Sequence, residues 1–167
     1  PQGDLAQQAT YQLAMALLLT GELDSAERTF STIIQRYRTG NWVALAAYRL
    51  AAQFYNRQDW AQAAPFFGVA TREATERDLG HKSIFYETRC LKFAGKTEQA
   101  IEQLGKIVND PTNPFREYAR LAIGELHAEA GSHEKALTHF EMLLAPHTAP
   151  QERAQALLSA GVSASKL

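Results

Sequence analysis

The sequence predicts an all-α fold: a right-handed superhelical array of antiparallel helix hairpins, with about four hairpins and a C-terminal helix. Three observations predict it. Four turn segments recur along the 167 residues, with central residues 37, 37 and 36 positions apart. An alanine follows each centre after five residues, and a large apolar residue follows that alanine after four. The matching positions are Gly21, Gln58, Gly95 and Gly131 for the turns, Ala26, Ala63, Ala100 and Ala136 for the alanines, and Phe30, Phe67, Leu104 and Phe140 for the large residues.

This spacing has a direct physical explanation. Glycine ends a helix in a left-handed conformation without a Cβ clash. The alanine lets the second helix of a hairpin approach the first, and the large residue one turn later fills the space between them. A single hairpin leaves an apolar face in water, so stacked hairpins are needed to bury it.

The elements follow from these turns in chain order. We expect one repeat domain over 1–167, with repeats at about 4–39, 41–79, 80–112 and 113–148 and a terminal helix at 150–166. Pro65 lies just beyond the first turn of its helix and is expected to bend or loosen it. Asn113 before Pro114 predicts a capped helix start, and Thr148 with Gln151 has the spacing of a capping box. The terminal helix is either a solvating cap or the first half of a fifth hairpin.

The first helices carry a second pattern, a large–small pair followed three residues later by another large residue. It reads Leu13-Ala14 with Leu17, Leu50-Ala51 with Phe54, and Ile123-Gly124 with His127, whereas the third copy has Glu87-Thr88 before Leu91. Together with the Ala-x3-Phe of the second helices, it resembles the tetratricopeptide repeat signature W-x2-L-G-x2-Y then A-x3-F. The resemblance covers nearly the whole chain. It implies a scaffold or adaptor with no catalytic activity of its own.

One segment is also similar to a bacterial subclass of that superfamily. Residues 26–30 followed by Ile33-Ile34-Gln35-Arg36-Tyr37 resemble the YbgF-type coordinator and BamD-type lipoprotein of the cell envelope. In those proteins the tyrosine is usually followed by proline, whereas Arg38 follows it here. This resemblance implies a place in a bacterial cell-envelope complex.

Composition narrows the classes of partner. Hydrophobic residues make up 46 % of the chain and charged residues 21 %, and the net charge of −1 creates no field that would attract nucleic acid or an anionic membrane. Cys90 is the only cysteine, which excludes an intrachain disulfide and a cysteine-based metal cluster. The longest apolar run, residues 14–19, is too short to span a bilayer. We expect no nucleic-acid partner and no membrane insertion by this segment. The compartment stays open between cytoplasm and periplasm, with any signal or anchor outside this chain.

We expect a protein or peptide partner to bind where the first helices line the concave side of the array. Matching places in successive first helices form ladders along this groove, aromatic in the N-terminal half and cationic further on. Aromatic side chains bury a large area at low entropic cost, and arginine or lysine can bind an acidic group. The candidate groove residues are Tyr11, Tyr48, Arg49, Tyr55, Lys82, Phe85, Arg89, Lys92, Tyr118 and Glu125.

An alternative interpretation gives these residues a structural role. Tyr11, Tyr48 and Phe85 would then be partly core, and Arg89 would pair with Glu125 of the adjacent repeat.

Some tetratricopeptide co-chaperones bind a C-terminal carboxylate with Lys and Asn in the first repeat and further Asn, Lys and Arg residues. The matching places here carry Tyr11, Met15, Arg49, Lys82 and Tyr86. Only Lys82 conforms, so this clamp is not predicted.

Signals for catalysis or metal binding are weak. Of the five histidines, His81, His127, His133, His139 and His147, the three in the middle are six residues apart, which does not place them on one helical face. Glu125 and Glu129 share a face at i, i+4, but no nucleophile or phosphate loop accompanies them. Cys90, beside Arg89, is typical of buried packing. We therefore predict no catalytic residue, no metal site and no cofactor.

Three functional hypotheses remain at this point. The first is a protein-binding scaffold that holds a peptide or helix in its groove. The second is a self-assembly module, a homo-oligomer formed through the open face of the last helix. The third is a regulatory or sensor domain of a larger protein.

Overall fold

A computed structural model describes residues 2–146 and 148–167, and in these residues the chain forms nine α-helices and no strand. The all-α fold of consecutive helices is as predicted. The helices are α1 (Gln2–Leu19), α2 (Leu23–Tyr37), α3 (Asn41–Asn56), α4 (Trp60–Glu73), α5 (Arg77–Phe93), α6 (Thr97–Asn109), α7 (Arg116–Glu129), α8 (His133–Met142) and α9 (Pro150–Ala164). They fall into an N-terminal unit, Pro1–Ala94, and a C-terminal unit, Gly95–Leu167. None of the nine combines the length and apolar character needed to cross a membrane.

The N-terminal unit consists of α1 to α5. Each helix packs against the next in the chain, and α3 also contacts α1 and α5. The first helices of the predicted hairpins are therefore neighbours. One core cluster of this unit consists of apolar residues that are at most 1 % exposed: Ala14, Ala26, Phe30, Ile33, Val43, Ala46 and Leu50.

The predicted turn residues all adopt a left-handed backbone. The φ angle is 83° at Gly21, 61° at Gln58, 71° at Gly95 and 75° at Gly131. At Gln58, the N–H of Asp59 donates to the carbonyl of Phe54 at 2.9 Å, which satisfies a carbonyl at the end of α3. The predicted register of the turns is confirmed at all four positions, including the one that is not glycine.

The alanine and the large apolar residue of each second helix are buried, as the spacing predicts. All eight side chains are at most 3 % exposed. The alanine methyl groups permit close helix contact, and the large side chains one turn later fill the space beside them.

The large–small pairs of the first helices are buried where a neighbouring helix covers them. Leu50, Ala51 and Ile123 are at most 3 % exposed. Leu13 differs: it is 55 % exposed, and within the described residues α1 packs against α2 and α3.

Two features of the second and third repeats concern Pro65, which was expected to bend or loosen its helix, and the start of α5. α4 continues from Trp60 to Glu73 through Pro65, although proline lacks the N–H that would bond the carbonyl four residues earlier. α5 begins at Arg77, three residues before the expected start of the third repeat.

The start of α7 also differs from the expected cap. Asn113 Oδ1 accepts the N–H of Phe115 at 2.9 Å, so the side chain closes a turn. The helix then begins at Arg116, two residues after Pro114.

The predicted capping box at α9 is wrong. The helix begins at Pro150, where a missing N–H costs nothing, and Ala149 occupies the N-cap position. Thr148 lies one residue too early to cap, and no hydrogen bond to its buried hydroxyl is found in the described part of the chain.

The C-terminal unit consists of α6 to α9. Each helix packs against the next, and α9 also contacts α7. Its core cluster is Leu121, Ala136, Phe140, Leu143 and Ala156. The ring of Phe140 lies directly against Gly124, where a Cβ would overlap it. The large apolar side chains Leu157, Leu158 and Val162 of α9 are more than 60 % exposed.

Candidate functional site

Aromatic side chains of three successive helices meet within the N-terminal unit. We define the aromatic cluster as Tyr48 and Tyr55 of α3, Trp60 and Phe67 of α4, and Phe85, Tyr86 and Phe93 of α5. Neighbouring ring centroids lie 5.0 to 6.3 Å apart. On α3 and α5 the paired rings are seven residues apart, so two helical turns bring them to the same face.

Tyr86 lies in the middle of the aromatic cluster. Its ring stacks on Phe67 at 5.3 Å and meets the edges of Tyr55 at 5.0 Å and Tyr48 at 6.3 Å. Phe67 is buried and gives the cluster a fixed floor. The outer members Phe85 and Phe93 are 42 % and 49 % exposed, so the cluster has an accessible rim. A rigid floor with an exposed aromatic rim suits the binding of an apolar side chain.

The guanidinium of Arg89 lies over this rim. Its central carbon is 5.3 Å from the ring centroid of Phe85, 5.5 Å from that of Phe93 and 5.9 Å from that of Tyr55. Stacking on aromatic faces holds the cation by attraction to the ring quadrupoles. The cluster therefore combines apolar area with one positively charged group.

Tyr11 and Arg49 connect α1 to α3. Arg49 Nε donates to the Tyr11 hydroxyl at 3.3 Å. The Tyr11 ring lies 5.4 Å from Trp42 and 5.8 Å from Phe30, which is core. Tyr11 is thus partly a core residue whose hydroxyl remains bonded at the surface.

The other predicted groove residues are not members of the aromatic cluster. Lys82 and Lys92 are exposed on α5. Tyr118 and Glu125 belong to α7 of the C-terminal unit and are half-buried. Burial raises the pKa of Tyr118 to about 12 and also raises the pKa of Glu125, which accepts a hydrogen bond from Gln155 of its own unit. Of the ten predicted residues, Tyr48, Tyr55, Phe85 and Arg89 are brought together at the cluster.

Glu87 places a carboxylate between α4 and α5. Its Oε1 lies 2.9 Å from the position that a Cβ would take at Gly68, so the missing side chain of Gly68 makes room for it. The hydroxyl of Thr71 donates to Oε2 at 3.3 Å. Burial raises the pKa of Glu87 to about 7, although the Thr71 hydrogen bond and nearby Arg72 lower it. The carboxyl is therefore partly protonated at neutral pH.

Cys90 is fully buried on α5, as its sequence context predicts. Burial and the nearby Glu87 raise the pKa of its thiol to about 11. The thiol is protonated at neutral pH, the opposite of what an activated nucleophile requires.

Two histidines of the C-terminal unit stack on each other. The ring centroids of His127 on α7 and His139 on α8 are 5.7 Å apart. Burial lowers the pKa of both, Lys135 lowers that of His127 further, and His127 and Arg120 lower that of His139. His147 lies outside the described residues. Within the described ranges, no three histidine, cysteine or carboxylate side chains are grouped as metal ligands would be.

Four members of the cluster were not predicted as site residues: Trp60, Phe67, Tyr86 and Phe93. The predicted groove was built from residues 36 or 37 positions apart, which are equivalent in successive repeats. The ring contacts of the cluster join residues that are not equivalent in this sense, such as Tyr48 and Tyr86. A usable signal was the seven-residue spacing from Tyr86 to Phe93, which repeats that from Tyr48 to Tyr55.

The fold and the cluster together define the class of protein: an α-helical repeat protein with an aromatic and cationic surface on its first helices. Residues 8–39 match the tetratricopeptide repeat family. The crystal structure of YrrB, described as a tetratricopeptide protein with an unusual peptide-binding site, matches with a TM-score of 0.56 at 20 % identity, over 93 % of this chain and 75 % of that chain. Residues 8–39 are therefore similar to a tetratricopeptide repeat, and the chain shares the helical fold of that crystal structure, as the sequence resemblance implied. No curated protein sequence matches it significantly.

Proposed function

We propose that this chain is a non-catalytic scaffold that binds a peptide or helix of another protein across the aromatic cluster of α3 and α5. One observation carries the proposal: the guanidinium of Arg89 lies over two exposed rings of α5 and a half-buried ring of α3, beside the buried ring of Phe67. YrrB is described as having a peptide-binding site, which supports the same class of function on this fold. Arg49, Lys82 and Lys92 would flank the site on α3 and α5.

Site-specific photo-cross-linking tests the proposal. A benzophenone amino acid replaces Phe85 at the rim, and in a control protein it replaces Gln35, an exposed residue of α2. Each protein is irradiated in separate soluble and envelope extracts. We expect a discrete cross-linked protein from position 85 alone, and its loss when Arg89→Glu is added. Equal cross-linking from both positions would contradict binding at the cluster. The extract that yields the product also tests the envelope placement, which stays a prediction.

The exposed apolar residues of α9 favour self-assembly as a second candidate function. Leu157, Leu158 and Val162 are each more than 60 % exposed, and a Cβ at Gly161 would meet nothing within 4 Å. At the equivalent Gly124 of α7, the ring of Phe140 occupies the space where a Cβ would lie. Light scattering across a dilution series, with Leu158→Glu as the comparison, tests this function. A wild-type chain that stays monomeric at every concentration would rule it out.

A further inference from the structure

Arg89 has a bound face and free edges. Three rings lie against its guanidinium at 5.3 to 5.9 Å, and such stacking leaves the in-plane N–H donors available. Among residues 3–94 of the described chain, no carboxylate is found in an ion pair with Arg89, whereas Arg57 pairs with Glu27 and Arg72 pairs with Glu73. The guanidinium is thus positioned by apolar contacts, and a planar anion could be bound by its edge.

The two first helices that contribute rings to the cluster, α3 and α5, are positively charged near Arg89. α3 contains no acidic residue, and it carries Arg49. α5 adds Lys82 and Lys92, and its acidic residues are Asp78 and Glu87. Asp78 lies eleven residues before Arg89, about 16 Å along the helix. The carboxylate of Glu87 lies against Gly68 of α4, in the space left by the missing Cβ. No nearby acid of α3 or α5 therefore competes for Arg89.

We propose that Arg89, Phe85 and Phe93 bind an acidic side chain of the partner peptide, an aspartate or glutamate with an aromatic or large aliphatic residue beside it. The carboxylate accepts hydrogen bonds from the guanidinium edge, and the neighbouring apolar side chain lies on the exposed rings. This inference rests on the proposed function, because it names the chemistry of the peptide bound there.

An internal acidic residue fits better than a chain terminus. A terminal carboxylate brings a peptide backbone with it, and the tetratricopeptide clamp for such ends needs several Asn and Lys side chains. The matching positions here carry Tyr11, Met15, Arg49 and Tyr86 alongside Lys82. A single guanidinium bordered by aromatic rings can bind a single side-chain carboxylate through its N–H donors.

Selection from a displayed library of random 12-residue peptides, each fused at both ends, tests the inference on the full chain. Wild type, Arg89→Gln and Phe85→Ala are screened in parallel after circular dichroism shows that each is folded. We expect wild type to enrich peptides with Asp or Glu next to Phe, Tyr, Trp, Leu or Ile. Arg89→Gln should lose the acidic preference and keep the apolar one, and Phe85→Ala should weaken both.

One enriched peptide is then synthesised with blocked ends and titrated by fluorescence anisotropy. Replacing its acidic residue by the amide should weaken binding to wild type about 10- to 100-fold and to Arg89→Gln by less than about 3-fold. Arg89→Lys should recover only part of the loss, because an ammonium lacks the planar fork. Raising the salt concentration should weaken the acidic peptide more than its amide.

The contrary outcomes separate this inference from the proposed function. Enriched peptides that lack acidic residues, yet lose affinity for Phe85→Ala, would overturn the inference and leave a peptide-binding scaffold. A requirement for a free C-terminal carboxylate would overturn it too. Failure of wild type to enrich any peptide, or binding unaffected by both substitutions, would overturn the proposed function as well.

Discussion

Glu87 stands where the first-helix pattern of the other repeats has a large apolar residue. The sequence shows this departure, but the residue that compensates for it is Gly68, nineteen positions earlier on α4. Only the packing of α4 against α5 brings the two together. A substitution that looks like a defect in one repeat is thus explained by a glycine in the preceding one, which no local pattern could have indicated.

We expect Glu87→Gln to remove a pH-dependent loss of stability. The folded pKa of about 7 is above the ordinary value of 4.5, so the folded chain keeps a proton that the unfolded chain has already lost. Stability is therefore full below about 4.5 and falls as pH rises to about 7, by about 2–3 kcal/mol. Urea unfolding at pH 5 and pH 8 should show this loss in wild type and a smaller one in Glu87→Gln. Glu98→Gln, at an exposed position, serves as control. If the free energy of unfolding of Glu87→Gln changed between pH 5 and pH 8 as much as that of wild type, the raised pKa of Glu87 would be contradicted.

Gln58 is the non-glycine residue among the four turn centres, with a φ of 61°. A side chain in the left-handed region costs about 1–2 kcal/mol in Cβ contacts, and glycine avoids this cost but has more freedom to lose on folding. We expect Gln58→Gly to raise the free energy of unfolding by about 1 kcal/mol. Gln12→Gly, at an exposed position inside α1, should lower it by about 0.5–1 kcal/mol. Chemical denaturation measures both, and a loss of stability in Gln58→Gly would show that its turn is not strained.

At the scale of the element, the four turns inside the hairpins could be predicted, from glycine or, at Gln58, from the repeat spacing, whereas the turn between α4 and α5 could not. The turns at Gly21, Gly95 and Gly131 were found because glycine favours their left-handed backbone. Residues 74–76, between α4 and α5, contain neither glycine nor proline, and the start of α5 was expected three residues too late. There the Thr75 hydroxyl donates to Asn41 Oδ1 at 3.0 Å, a contact with another helix that the local sequence does not reveal.

Two glycine-to-alanine substitutions in the C-terminal unit should have opposite effects, because α8 packs closely against Gly124 of α7 and nothing lies close to Gly105 of α6. Alanine normally stabilises a helix interior by about 1 kcal/mol relative to glycine. At Gly105 of α6 an added Cβ meets nothing within 4 Å, so Gly105→Ala should be stabilising by about that amount. At Gly124 the Cβ would overlap the fully buried ring of Phe140, so Gly124→Ala should be destabilising by about 1–3 kcal/mol. Thermal unfolding followed by circular dichroism compares them, and equal shifts would contradict the close contact.

For the whole molecule, repetition made the fold predictable and the site only partly so. The same alanine and large residue recur at each hairpin because each hairpin solves the same packing problem. The candidate site depends on differences between repeats instead. Tyr48, Tyr55, Phe85 and Arg89 were found as ladder members, whereas Phe67 and Tyr86 complete the floor through contacts between non-equivalent positions. Glu125, counted along the same ladders, and the candidate Tyr118 belong to the C-terminal unit.

The two units should respond to pH in opposite directions, because Glu87 is a buried acid whereas His127 and His139 are buried bases. In α7 the raised pKa of Glu125 opposes the histidines and makes their response smaller. In the N-terminal unit, the raised pKa of Glu87 makes folding more favourable as pH falls from about 7 to about 5. In the C-terminal unit, His127 and His139 have folded pKa values below their ordinary 6.5, so the unfolded chain binds protons first. Their contribution is present above pH 6.5 and is lost as pH falls through the folded pKa values.

Hydrogen exchange read by mass spectrometry resolves the two responses within one sample. Between pH 7 and pH 5, after correction for intrinsic rates, we expect protection of α4 and α5 to rise and protection of α7 and α8 to fall. The double variant His127→Gln/His139→Gln should reduce the change in protection of α7 and α8 and leave that of α4 and α5 unaltered. Glu87→Gln should reduce the change in α4 and α5 and leave that of α7 and α8 unaltered. A parallel change of both units in wild type would contradict the opposite signs. Separate responses would mean that acidification weakens the histidine pair while the helices that carry the aromatic cluster become more stable.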